Sequence, residues 1–147
     1  MKYSEAKQGR IFIIRLEDGD IIHEEIGKFS KKKSIKAAFL IIVGGVDKNS
    51  KLVVGPEHGR VKPLVPMEYI LDNVHEAVGT GTIFSNKKGD PILHMHIACG
   101  REGSTTTGCI REGVITWNVM EIILIELIET QAIRAFDPNT GFELLTP

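Results

Sequence analysis

Five histidines and two cysteines are the residues in this 147-residue chain best suited to hold a metal ion, and three of them have spacings that can bring them together. His94 and His96 flank Met95 inside Ile92-Leu93-His94-Met95-His96-Ile97-Ala98-Cys99, an apolar run of strand character. Alternate side chains of a strand share a face, so both imidazoles project the same way about 7 Å apart along the backbone. The next turn signal is Gly100-Arg101-Glu102-Gly103-Ser104, and a tight hairpin centred on Glu102-Gly103 pairs positions whose numbers sum to 205. His96 then faces Cys109. Directly opposed residues of antiparallel strands point to the same side, so His94, His96 and Cys109 converge from two neighbouring strands. Two imidazoles and one thiolate suit Zn²⁺ and leave a fourth position for water, a substrate or a residue of another chain. The same register sends Cys99 to the opposite face as a core thiol and argues against a Cys99–Cys109 disulfide, whereas a slip of one residue would undo the set. Two ordinary strand histidines beside a small buried thiol give the same pattern.

The other reactive side chains offer less. His75 is a candidate fourth ligand or a strand-edge histidine; His23 falls early on a helix and His58 in a Gly-Pro loop, neither with a partner in sequence. Glu121, inside Thr116-Trp117-Asn118-Val119-Met120-Glu121-Ile122-Ile123-Leu124, is a candidate general base on a metal-bound water. Its alternative is an ion pair at a sheet edge or subunit interface. Gly79-Thr80-Gly81 is Gly-x-Gly without a following helix, which marks close packing or a bulge, not a nucleotide fold. No P-loop or Ser-centred elbow is present.

The elements that must position these residues are mostly strands. Arg10–Leu16 reads as a first strand, ending at Glu17-Asp18-Gly19-Asp20, where Asp20 is placed to cap a helix over Ile21–Lys32. That helix carries an apolar stripe of Ile21, Ile22, Ile26 and Phe29, with Glu24 and Glu25 early and Lys31 and Lys32 late, as the helix dipole favours. Extended runs follow over 37–46, 51–54, 67–71, 75–84, 92–99, 105–111 and 114–127, separated by Gly, Pro, Asn and Asp clusters. A closing hairpin joins Ile133–Phe136 to Phe142–Leu145, with edges free to pair with the main sheet or a neighbouring chain. The class is α+β: a mainly antiparallel, sandwich-like sheet with one N-terminal helix packed on it.

Composition narrows the function classes. One domain over residues 1–147 fits the length, and 42% hydrophobic with 25% charged residues describes a globule that needs no staples. A net charge of −1 gives no global attraction to phosphate backbones, and the basic clusters Lys31-Lys32-Lys33 and Lys87-Lys88 are explained by a helix end and a hairpin tip. Two cysteines, no secretion signal and no uninterrupted apolar span point to a reducing, cytoplasmic setting away from membranes. The loop Gly55–Pro63 lacks the Arg-Gly-Arg-Pro core that lies in an A·T minor groove.

With its elements in order, the chain from Arg10 to Leu145 resembles the plant- and prokaryote-conserved (PPC) domain, the module that plant AT-hook proteins carry beside their DNA-binding arms. The residues that carry the resemblance are Pro91-Ile92-Leu93-His94-Met95-His96-Ile97-Ala98-Cys99-Gly100-Arg101-Glu102-Gly103-Ser104, supported by Gly19-Asp20, Val43-Gly44-Gly45-Val46 and Gly79-Thr80-Gly81-Thr82-Ile83. It implies a homotrimer and, as in some single-domain prokaryotic members, one divalent metal ion, most often zinc. The family's metal residues map onto His94 and His96, and its third position, usually a histidine after a glycine, falls on Cys109 after Gly108. The AT-hook is absent, so its DNA role does not carry over, and direct DNA binding is expected to be weak or missing. The resulting expectation is a zinc-binding homotrimeric module with a regulatory role through a protein partner or weak nucleic-acid contacts. Its alternative is a small zinc-dependent hydrolase.

Overall fold

Extended runs rich in Val, Ile and Thr, separated by turn residues, become ten strands and one helix in the computed structural model, which describes residues 1–147. They are β1 (Lys7–Glu17), α1 (Ile22–Lys32), β2 (Ala37–Val46), β3 (Lys51–Pro56), β4 (Pro66–Ile70), β5 (His75–Ser85), β6 (Pro91–Arg101), β7 (Ser104–Ile110), β8 (Thr116–Ile128), β9 (Ile133–Asp137) and β10 (Phe142–Thr146). Eight strands form one antiparallel sheet in the order β1-β8-β2-β5-β6-β7-β3-β4. The expected mainly antiparallel sheet with one N-terminal helix is therefore present. Leu16 of β1 and Leu52 of β3, from opposite ends of the strand order, belong to the same buried cluster. One eight-stranded sheet with α1 packed on its inner face therefore builds the core.

The inner face carries Leu40, Ile42, Met95, Ile97, Met120, Ile122 and Leu124, all buried, with Ile22 and Ile26 of α1 packed against them. Each fully buried Leu or Ile side chain contributes about 1.5–3 kcal/mol relative to exposure. The outer face is unusual. Phe39, Ile41 and Val43 of β2, Val78 of β5 and Ile123 of β8 are all exposed, Val43 at 55% and Val78 at 61%. A β-bulge between Gly44 and Gly45 lets β2 pass over β8, where a Cβ on Gly45 would lie 2.5 Å from the carbonyl of Trp117.

Two expectations change. Asp20 does not cap α1: its carboxylate accepts a hydrogen bond from the Glu17 amide at 2.9 Å and closes the preceding turn. Ile21 occupies the N-cap position, and the Ile22 amide donates to the Val114 carbonyl at 3.0 Å, so a neighbouring segment satisfies the helix start. The closing hairpin forms as expected, but β9 and β10 ladder only with each other; one isolated parallel bridge joins Arg134 to Asn86, next after β5, and the Arg134 side chain bonds Thr82 within β5.

Candidate metal centre

The β6–β7 ladder has the register that the turn at Glu102-Gly103 requires. His96 pairs with Cys109, Ala98 with Thr107 and Arg101 with Ser104. Along β6, Met95 and Ile97 turn into the core while His94 and His96 turn outward. Cys109 lies on the histidine face, and Cys99 lies fully buried on the other. Both thiols are free. Burial pushes the Cys99 thiol up to about 11, which makes it an inert core residue.

His94, His96 and Cys109 form one cluster, their ligand atoms all within 4.8 Å of one another. His94 Nε2 and His96 Nε2 are 3.2 Å apart, with the rings at 82°. Two nitrogens on a tetrahedral Zn²⁺ at about 2.0–2.1 Å stand roughly 3.3 Å from each other, so the two imidazoles already have the spacing such an ion requires, with the Cys109 thiol within 4.8 Å of both. Partial burial, and then the charges of Arg134, His96 and Arg111, hold His94 below the usual histidine value, which favours the neutral, ligating ring.

Glycines bring the surrounding backbone close. A Cβ on Gly81 would meet the Met95 Cβ at 2.8 Å and the His94 carbonyl at 2.9 Å, and one on Gly108 would meet the Leu52 Cβ at 2.9 Å and the Val53 carbonyl at 3.0 Å. Gly79-Thr80-Gly81 therefore marks close packing within an unbroken β5–β6 ladder. Gly108 lets β3 approach beside the ligand strand.

Other expected site residues fall elsewhere. Glu121 shares the outer face with His96, and both line a cleft of about 540 Å³ there. Two strands, β2 and β5, intervene between β8 and β6, about 14 Å at ordinary strand spacing, so a single chain does not bring Glu121 to the cluster. Arg15 stands opposite Glu121 in the β1–β8 register, but its guanidinium bonds Glu17. His75 is not part of the cluster: it starts β5, five residues from Thr80, which pairs with His96, and its Nδ1 is 2.8 Å from the Asn73 carbonyl. His23 sits on α1, and His58 lies in a loop with Nε2 3.9 Å from Glu57.

Four residues near the cluster carried no recognised signal in the sequence. Thr82 pairs with His94 across β5–β6, and its hydroxyl accepts a hydrogen bond from Arg134 at 3.1 Å. Arg111 and Phe142 line the same cleft as the three ligands, the Arg111 guanidinium carbon 5.7 Å from the Phe142 ring centroid. Extending the register by one pair sets Arg111 across from His94, so strand pairing alone could have found it. Arg134 and Phe142 reach the site through the closing hairpin, whose placement has no local signal.

Solved structures with this fold include a metal-containing protein from Archaeoglobus fulgidus, 24% identical, with 100% of each chain covered and a TM-score of 0.85. A plant- and prokaryote-conserved protein from Pyrococcus horikoshii is 26% identical over 100% of this chain and 98% of its own, also at a TM-score of 0.85. A candidate DNA-binding protein from Bacteroides thetaiotaomicron is 19% identical, with 96% of each chain covered and a TM-score of 0.76. Among curated proteins, Bifunctional protein GlmU of a Synechococcus strain matches at 23% identity over 134 residues. That match takes in 90% of this chain but only 20% of the relative, so the chain spans about a fifth of that protein's length. The profile of the Plants and Prokaryotes Conserved (PCC) domain matches residues 3–128, and the chain belongs to that family.

Proposed function

We propose that the chain is a metal-binding module that holds one divalent ion, preferably zinc, on His94, His96 and Cys109, and that it works as a homotrimer in the cytoplasm. The observation that carries the metal reading is the convergence of two imidazoles and a thiolate, from two strands, on one point. That the Archaeoglobus protein of the same fold is described as metal-containing adds support. Zinc is preferred because it accepts mixed nitrogen and sulfur donors in a tetrahedral set, and bound there it would supply Lewis acidity. The trimer is supported by the apolar outer face formed by Phe39, Ile41, Val43, Val78 and Ile123, which a subunit contact would cover. Unpaired thiols agree with a reducing compartment, and no helix is long and apolar enough to cross a membrane.

A regulatory role through protein contacts accords better with a net charge of −1 than direct DNA binding does. The second reading, a zinc-dependent hydrolase, is favoured by the cleft of about 650 Å³ that the ligand residues line, which has room for a substrate. Metal analysis of purified protein with sedimentation tests the main reading: one ion per chain and a trimer support it, and a metal-free monomer contradicts it. Hydrolytic turnover that depends on the metal would favour the second.

A further inference from the structure

The three ligand residues open onto a cleft with walls formed by Val54 and Pro56 of β3, Leu64 of the following loop and Phe142 of β10. One arginine lines it and a second stands behind its histidines. Arg111 lines the cleft and is held over the Phe142 ring. Arg134 lies behind His94, bound to Thr82, the residue that pairs with His94 on β5. Arg134 is only 6% exposed, donates solely to neutral oxygens, those of Thr82 and the Glu143 backbone, and its Nε has no partner. A buried guanidinium without a carboxylate is costly, and retaining one beside a cation site makes sense where an anion is to be held.

The neighbouring acids do not pair with Arg134: Glu143 is close enough for its charge to act on the guanidinium, but it bonds that group through its backbone carbonyl and not its carboxylate. Glu68, which also lines the cleft, is bound to Lys51 at 3.1 Å, and Glu112 is bound to the same lysine at 2.6 Å. A divalent ion on one thiolate, flanked by two guanidinium groups, leaves the cleft strongly positive.

We propose that Arg111, with Arg134 as the buried charge behind it, makes this cleft a receptor for the oxyanion of a small metabolite. A phosphate or carboxylate group sits between Arg111 and the open side of the metal-ligand cluster, and the organic remainder lies against Phe142 and the β3 wall. Arg111 is suited to the task because its planar fork matches two oxygens of such a group. The proposal rests on the metal reading of His94, His96 and Cys109.

The test uses the full chain loaded with Co²⁺, whose visible absorption reports changes around the ion, titrated with inorganic phosphate or with acetate at fixed ionic strength. A saturable spectral change is expected, and whichever anion saturates at lower concentration identifies the headgroup. Arg111→Ala should still take up Co²⁺ and bind the anion at least about 10-fold more weakly, a difference of about 1.4 kcal/mol, with Arg111→Lys in between. No spectral change with either anion, or equal affinity in the unvaried chain and Arg111→Ala, would overturn the proposal and leave the metal reading standing. Failure of the unvaried chain to take up Co²⁺ would overturn both.

Discussion

The Cβ that Gly79 lacks would lie 2.7 Å from the carbonyl oxygen of His96. The core side of β5 is therefore pressed against the backbone that carries a ligand histidine on its other side. Because that obstacle is main chain held in a ladder, it cannot rotate away as a side chain would. Packing of the inner face and placement of the histidine are thus set by the same contact.

Gly79→Ala should therefore lower stability by about 1–3 kcal/mol through overpacking. It should also weaken metal binding, because relief requires β6 to move and His96 moves with it. Urea unfolding and metal titration on one variant measure both effects. Unchanged stability would show that the ladder has slack that the spacing does not suggest.

Gly27 should respond in the opposite direction. It sits within α1 with nothing within 4 Å of an added Cβ. Gly27→Ala should stabilise the protein by about 0.5–1 kcal/mol, since only the entropy and helix-propensity terms remain. The urea midpoint should rise, and metal affinity should stay constant.

The two thiols should differ in reactivity. Cys99 is fully buried with its ionisation pushed up to about 11, whereas Cys109 borders the cleft. In metal-free native protein, a thiol reagent should modify Cys109 first, and added Zn²⁺ should protect it. Peptide mapping of the labelled protein identifies the site, and rapid labelling of Cys99 would mean that the β6 register is wrong.

Acid should weaken one particular tie. Arg10 donates from Nε and Nη2 to the two carboxylate oxygens of Glu126, each at 2.7 Å, joining β1 to β8. Those hydrogen bonds hold Glu126 below its ordinary value of 4.5. A depressed folded-state value means the pair's stabilisation is complete above the unfolded value and is lost as pH falls from about 4.5 through the folded value. Arg10 is half exposed, so solvent screening limits Glu126→Gln to a loss of about 1 kcal/mol near neutrality. Chemical unfolding across pH should show the variant and the unvaried chain converging below that window.

How much of this could be read from the sequence depended on how local the determinant was. The β6–β7 register followed from one turn, Glu102-Gly103, and correctly aligned His96 with Cys109 and put Cys99 on the other face. The helix followed from its stripe, but its start did not. Asp20 has the chemistry of a cap, yet the Ile22 amide is satisfied by Val114, far along the chain, and the carboxylate is left to close its own turn. Glu121 was correctly placed in a strand, but its distance from β6 depends on the order of four strands, which alternation does not encode. Arg134 and Phe142 arrive on a hairpin whose backbone meets the sheet just past the end of β5 at one isolated bridge, so nothing near them in sequence marks them as neighbours of His94. The apolar outer face was also missed, because alternation predicts a polar partner face and β2 and β8 carry isoleucine and valine on both sides.

Equilibrium dialysis of metal-depleted protein against buffered Zn²⁺ tests the metal centre most directly, comparing the unvaried chain with His94→Ala, His96→Ala and Cys109→Ser. The expected result is one ion per chain, with each substitution weakening binding by more than the roughly 10–100-fold that loss of a supporting outer residue costs. Binding of equal strength in all four proteins, or no stoichiometric binding in the unvaried chain, would contradict the assignment of His94, His96 and Cys109 as the ligands.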